Sequence, residues 1–556
     1  MKISSIGWAL LGSAAALVTL RPARRRLQLS AAKHKGLVGH VRMAKRAARL
    51  IPHYAFDEGN FANADDAPAD VAAQRQEAFA ALADTYRARF PKSAEMSAQA
   101  AHSIPDVDFT STYRVPFQFS ALVRRHLSSG SFYQASSGVK LTDLDGNAFY
   151  DLTGSYGVNL LGVDAYRDLV AQGIASTADL GPTLSGLHPL VLDNVARLKE
   201  ISGLDAVSFH MSGTEAVMQA VRLARYHTGR ARVVRFAGAY HGWWGDVQPG
   251  IGNPVPADNT LTLADMSEAA LKVLATRRDI ACVLVNPLQA MHPNSNAPGD
   301  STLVTGRKQA SVSRADYAAW LARLQHTCNK AGIVLIMDEV FTGFRLAQRG
   351  ACEYFGVTPD MVTYGKTLGG GLPVGVVCGR AALMKRYRED KPADICFARG
   401  TFNSHPYVMG AMDAFLRYME TPTGMALYDG LDARWNDRAD SLNAQLEAGG
   451  YPVRINNLGT IWMVCFTQAG RYHWMLQFYL RAQGLALSWV GSGRFIFSLA
   501  YTDDDFAEVE RRFLAAVQQM QSGGWWWRAS EGEAGDKAIR RRLRNEMIGH
   551  VLGRSA

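Results

Sequence analysis

An α/β protein with a mainly parallel sheet in a large domain, joined to a smaller α+β domain, is the fold class this sequence predicts. Three observations predict it. From about Gly154 to Arg380, short apolar runs alternate with stretches of helical period, as in strands joined by crossover helices. Beyond Gly400 a second segment of mixed helix and strand character runs to about Gln519. With 556 residues, 48% of them hydrophobic, the chain is long enough for a large core with appendages around it.

The elements divide the chain into six parts: 1–20, 21–70, 71–153, 154–395, 396–519 and 520–556. Ile3 to Leu20 is uncharged and mostly apolar, close to the minimum length for a membrane-anchor helix. Arginines follow it, so a retained anchor would keep the body of the chain on the cytoplasmic side. An Arg-rich, acid-free leader is also the composition of an organellar transit peptide, whereas a secretory signal carries its charge before the apolar run. Residues 21–70 form a basic juxtamembrane segment and linker, with Asn60 to Asp70 rich in Asn, Asp, Ala and Pro. A helical pattern spans about Val71 to Phe90 and is closed by Pro91. Lys140 to Leu152 alternates around Asp145-Gly146, which marks a β-hairpin. Strands are expected at Ala206–His210, Val233–Phe236, Cys282–Asn286, Ile333–Asp338 and Met361–Tyr364. In the tail, Trp525, Trp526 and Trp527 precede a basic run from Lys537 through Arg544. That combination suits either a membrane interface or a basic surface helix beside a docked Trp cluster.

Charge and cysteine usage exclude some partners. The net charge of +10 includes eleven cations and no acid between Met1 and Phe56, which leaves about −1 for everything after. A near-neutral body gives no support for nucleic-acid binding. The six cysteines, Cys282, Cys328, Cys352, Cys378, Cys396 and Cys465, show no metal-ligand spacing, so no metal site is expected and reduced thiols are.

Three motifs carry chemistry. In His210-Met211-Ser212-Gly213-Thr214-Glu215, followed by an apolar helical pattern, Ser212, Gly213 and Thr214 form a turn at a helix N-terminus, suited to a phosphate or simply to capping. The strand IVLIM ends in Asp338-Glu339-Val340. An acid at the buried end of a strand is costly unless a cation, such as a protonated pyridine nitrogen, pairs with it; a plain turn-forming aspartate is the alternative. Lys366 lies between a strand and the glycine-rich Thr367-Leu368-Gly369-Gly370-Gly371, amid uncharged residues. Partial desolvation there would lower its pKa enough for imine chemistry.

In this order and spacing, SGTEA, YHG, DEVFTGFR, GKTLGGGLPVG and GTFNSHP resemble the fold-type I pyridoxal-phosphate enzymes of class III. They look most like glutamate-1-semialdehyde aminomutases and the related aminotransferases of polyketide and lipopeptide pathways. The resemblance covers roughly Val115 to Phe513. It implies pyridoxal 5'-phosphate held by Lys366 as a Schiff base, with Asp338 on the pyridine nitrogen. Tyr240 would stack on one ring face, His241 beside it would complete the pocket, and Val340 would pack the other face. Ser212, Gly213 and Thr214 would hold the phosphate, and Gln289 would reach the phenolic oxygen. Thr401 matches a residue that reaches the phosphate of a neighbouring subunit, which implies a homodimer with shared active sites.

Departures from the pattern bear on the substrate. Asn286-Pro287 replaces a usual Glu-Pro, and Tyr156 stands where the aminomutases tend to carry tryptophan. Arg494 matches a carboxylate-binding arginine of many class III transaminases that the aminomutases lack; a surface arginine is the alternative. The function expected is transfer of an amino group from a small-molecule amine donor to a carbonyl acceptor at a membrane, with intramolecular transfer of the aminomutase type as the rival.

Overall fold

The computed structural model describes residues 22–34, 36, 39–128, 130, 132–288, 313–488, 494–530 and 532–552. The expected anchor at 3–20 lies outside them, and among the described residues no helix is long and apolar enough to cross a membrane.

Strands β1 (Tyr133–Ser137), β2 (Lys140–Asp143) and β3 (Ala148–Asp151) form an antiparallel meander. The β2–β3 turn is fixed by Asp143, whose Oδ1 accepts the N–H groups of Asp145 and Asn147 at 3.0 and 2.8 Å. Gly146 takes the left-handed conformation (φ +83) that the turn needs.

The central sheet follows: β4 (Ala206–His210), β5 (Arg232–Phe236), β6 (Thr260–Leu263), β7 (Ile280–Val285), β8 (Val334–Asp338), β9 (Met361–Gly365) and β10 (Gly375–Gly379). Their order is β4-β10-β9-β8-β7-β5-β6. β5 to β9 pair in parallel, while β10 runs antiparallel to both β9 and β4. Every residue of β7, β8 and β9 is buried, because helices cover both faces of a parallel sheet, and this is why these strands read as unbroken apolar runs. The helix Gly213–Thr228 buries Ala216, Val217, Ala220, Val221, Leu223 and Ala224 at helical spacing against that sheet.

The smaller lobe holds the antiparallel sheet of β11 (Val453–Leu458), β12 (Ile461–Phe466) and β14 (Arg494–Ile496). The two-residue β13 (Leu485–Ala486) leaves that lobe to pair in parallel with β3.

Five expected strands are present, but β6 and β10 were not expected. β6 is only the four residues TLTL, and the glycines closing GVVCG disguise β10 as a turn. Pro91 does not end the helical region: it opens a new helix, Pro91–Ser103, where its missing N–H has no cost. The stretch 60–70, read as linker, is packed. Phe61, Ala62 and Ala64 are buried, and the buried Arg75 grips Asp65 in two bonds of 2.7 and 2.9 Å. In the tail, Trp525 and Trp526 are buried rather than offered to a bilayer, and Trp525 Nε1 donates to Tyr479 Oη at 2.9 Å. Two large indoles bury more apolar area in a docked cluster than an exposed turn would. All six cysteines are free, and no His/Cys/Asp/Glu group among the described residues is able to hold a metal.

Candidate active site

The turns that leave β4, β8 and β9 meet at one edge of the central sheet. β8 and β9 are parallel neighbours with Asp338 opposite Thr363, so Asp338 and Lys366 emerge side by side. β4 reaches the same edge because Gly375 of β10 lies between Gly365 and His210. Such carboxyl ends are where open α/β sheets bind ligands. The convergence is tight. A methyl group at Gly213 would lie 2.5 Å from Val340 Cγ1, and one at Gly365 would lie 3.2 Å from the same atom.

At the phosphate-like end, Ser212 is the N-cap: its Oγ accepts from Glu215 N at 3.3 Å, while Glu215 Oε2 takes the Met211 N–H at 3.0 Å. Both the capping and the anion-binding expectations are compatible with this arrangement, since the Ser212 hydroxyl proton and the first helical N–H groups stay available. Thr214 adjoins Gly242, where an added methyl would meet Thr214 Oγ1 at 2.5 Å.

Asp338 is buried and accepts three hydrogen bonds: from His241 Nδ1 at 2.7 Å, Thr363 Oγ1 at 3.1 Å and Val340 N at 3.2 Å. A carboxylate accepts only, so His241 carries its proton on Nδ1. Burial lowers the His241 pKa against the pull of Asp338, so the imidazole is neutral and does not itself compensate the carboxylate charge. His241 Nε2 is buried with no hydrogen-bond partner among the described residues. The adjacent Glu339 turns away, accepting Ala351 N at 2.6 Å and Cys352 N at 2.7 Å, and burial pushes its carboxyl up to about 7.

Lys366 has a left-handed backbone (φ +48), a conformation that costs a non-glycine residue about 1–3 kcal/mol and collects at functional sites. Burial brings its ammonium down to about 8, with Asp338 pulling it up and Arg345 and Arg494 pushing it further down. Its Nζ lies 4.9 Å from the centre of the Phe341 ring, and Arg494 Cζ lies 5.9 Å from that same centre. Arg494 opens β14; its Nε is buried with no hydrogen-bond partner among the described residues, and burial brings its pKa down to about 10. The guanidinium is therefore still charged at neutral pH. Gly157 (φ +95) closes this wall, since a methyl there would sit 2.6 Å from Phe341 and 3.4 Å from Lys366 Cδ. Tyr156, in the same turn, is half exposed with φ +57.

The buried Arg345 fastens the wall. It donates to the carbonyls of Phe497 (2.7 Å), Asn159 (3.1 Å) and Gly157 (3.2 Å) and to Thr460 Oγ1 (3.0 Å). Tyr240 is mostly exposed, and its phenol pKa is raised first by burial and then by the Asp338 charge. Asn286 explains one departure: its Nδ2 donates to the Tyr240 carbonyl at 3.2 Å, which a glutamate has no N–H to do. Thr401 is exposed in a turn. Gln289 lies outside the described residues.

The family model described as Aminotransferase class-III matches residues 123–247 and 312–517, more than half of the chain. The chain belongs to the class III aminotransferases. This class III protein is 33% identical over 393 residues to Glutamate-1-semialdehyde 2,1-aminomutase of Nitratidesulfovibrio vulgaris (strain DP4), covering 68% of this chain and 89% of that one. A solved structure titled "Transaminase with PLP bound" superposes with TM-score 0.62 at 26% identity, covering 78% of this chain and 99% of that one. The fold is also that of a β-phenylalanine aminotransferase from Variovorax paradoxus, with TM-score 0.65 at 24% identity over 81% and 98% of the two chains.

Pyridoxal 5'-phosphate is the cofactor of this class III enzyme. The residues present fit it. Asp338 has used three of about four acceptor positions and its charge awaits a cation, which a pyridinium nitrogen supplies. The side-chain-free Gly213 at a helix N-terminus leaves room for a phosphate, and Lys366 releases its proton near neutrality.

Reasoning from sequence missed Arg345, Thr363 and Phe341. The signal for Arg345 was present, as a single charge in the aromatic run Phe341-Thr342-Gly343-Phe344 with no acid to pair with except strand-end carboxylates.

Proposed function

We propose that this class III aminotransferase takes an amino group from an amino-acid or amine donor and passes it to a separate aldehyde or ketone. The observation that carries the reading is Arg494: a partly buried cation with an orphaned Nε, sharing the Phe341 ring with Lys366 and lacking a carboxylate partner among the described residues. A donor carboxylate would complete it.

When bound, the cofactor acts as an electron sink that acidifies the substrate carbon bearing nitrogen. The protein's part is positional. Asp338, fixed by His241, Thr363 and Val340, keeps a negative charge on the ring-nitrogen side. Tyr240 and Val340 would flank the ring, Ser212, Gly213 and Thr214 would take the phosphate, and the resemblance assigns the phenolic oxygen to Gln289. Lys366 holds the cofactor at rest and, once released, moves the proton at the reacting carbon. A lysine titrating at about 8 is free base in a useful fraction at neutral pH, as a proton shuttle requires. Thr401, exposed in a turn, is compatible with a homodimer in which each subunit contributes to the other's phosphate site. The apolar stretch 3–20 with its following arginines supports membrane retention with the catalytic body on the cytoplasmic side, and with it a lipophilic or carrier-bound acceptor.

A second reading, amino transfer within one molecule, is favoured by the relative named as an aminomutase. The two readings separate in a half-reaction. With an amino acid alone, two-step transfer converts the cofactor to its amino form and releases a keto acid, and Arg494→Ala weakens this by about 1.5–3 kcal/mol, the scale of a charged hydrogen bond. Turnover of glutamate-1-semialdehyde with no second substrate, indifferent to Arg494→Ala, would establish the aminomutase.

A further inference from the structure

Both ends of the chain fall outside the family-matched residues 123–247 and 312–517, yet they are locked to each other. Tyr54 stacks on His550 at 4.2 Å and hydrogen-bonds to the carboxylate of Glu546, which also receives Arg471 at 3.1 and 3.2 Å. This junction ties together two segments that each carry exposed cations and aliphatic side chains. From the N-terminal side come Arg46 and Arg49 with Met43, Leu50 and Ile51. The helix Gly532–Val551 and its following residue bring Arg540, Arg541 and Arg544 with Ile548, Val551 and Leu552.

The combination is selective. No carboxylate occurs before Asp57, and the only one after Lys537 is Glu546, which is buried on Arg471. Arg42 pairs with Asp258 and Arg542 with Asp66, but Arg46, Arg49, Arg540, Arg541 and Arg544 make no ion pair among the described residues, so they offer positive charge beside the aliphatic groups. Nucleic acid would match the charge but leave the aliphatic groups in water, and Tyr54, Trp525 and Trp526 are buried, out of reach of base stacking. An anionic bilayer satisfies both, taking the arginines at its headgroups and the aliphatic side chains at the acyl boundary.

We propose that the joined chain ends form a peripheral docking surface for anionic lipid, independent of residues 1–21 and of the Arg494 reading. The test is co-sedimentation of the full-length, cofactor-loaded protein with vesicles of phosphatidylcholine alone or mixed with phosphatidylglycerol, at low and high salt. The wild type is expected to bind the mixed vesicles and to weaken as salt rises. Reversing Arg46, Arg49, Arg540, Arg541 and Arg544 to Glu together should reduce binding at least about tenfold, since each juxtamembrane cation contributes severalfold. A second variant, Leu50→Ser with Ile51→Ser and Val551→Ser, should also bind more weakly while its cofactor absorbance stays unchanged. Full binding by the charge-reversed variant would overturn the proposal, as would a wild type that ignores anionic vesicles or binds an RNA oligonucleotide in preference to them.

Discussion

Arg471 and Arg494 belong to the same C-terminal half of the chain, and each is taken out of water, but only one of them meets a carboxylate. Arg471 is buried in a two-bond pair with Glu546 and also donates to the Ala64 carbonyl at 3.1 Å. Arg494 has an aromatic ring, a lysine sharing that ring, and an Nε with no acceptor among the described residues. Asp338 presents the same contrast in reverse, as a buried anion whose tightest partner is a neutral imidazole. A closed pair is a structural joint, because removing either half strands the other. A buried charge without an ionic partner needs other groups to complete it: carbonyls do so for Arg345, whereas Asp338 and Arg494 are left for what the enzyme binds.

The largest expected effect is at the joint. Glu546→Ala strands Arg471 and should lower stability by about 3–5 kcal/mol, seen as a drop in the urea midpoint with unchanged activity per folded molecule. A midpoint within error of wild type would show that the terminal junction carries no load. Removing the open charge should do the opposite: Arg494→Ala should keep stability within about 1 kcal/mol, since no partner is left unpaired.

A smaller effect separates the two arginines by pH. Arg494 is one of the cations that hold Lys366 down at about 8, so its removal should raise the lysine's pKa and shift the acid limb of a pH profile for cofactor reloading upward. Asp338→Asn removes the group that pulls the lysine up and should shift the limb the other way. Arg471→Gln should move neither. The smallest effect is at the docked indole: Trp525→Phe loses the bond to Tyr479 and should cost about 1 kcal/mol, measured by the same urea titration.

The site was more legible in the sequence than the ends of the chain. Lys366, Asp338 and Ser212 to Thr214 stand at strand or helix ends, which local pattern marks as candidate ligand-binding turns, although the arrival of β4 at the same edge depends on β10. The lone charge of Arg345 in its aromatic run was visible, but its role was not, because that role comes from carbonyls at Gly157, Asn159 and Phe497, contributed by segments far apart in the chain. The packing of Asp65 under Arg75, and of Trp525 on Tyr479, was hidden although these partners are only 10 and 46 positions apart: composition reports what a residue is, while burial depends on the fold that brings its partner near. Strand β10 was missed because flanking glycines are ordinary turn signals, and only its place between β4 and β9 makes them strand ends.

The central claim is that the open charges around Lys366 mark the cofactor's seat. Reducing the cofactor-loaded enzyme with borohydride, digesting it and mapping the modified peptide tests this most directly. The label should be on Lys366, and Lys366→Ala should lose both the label and the lysine-bound absorbance while still folding. A label on any other lysine, or unchanged labelling of Lys366→Ala, would contradict the account.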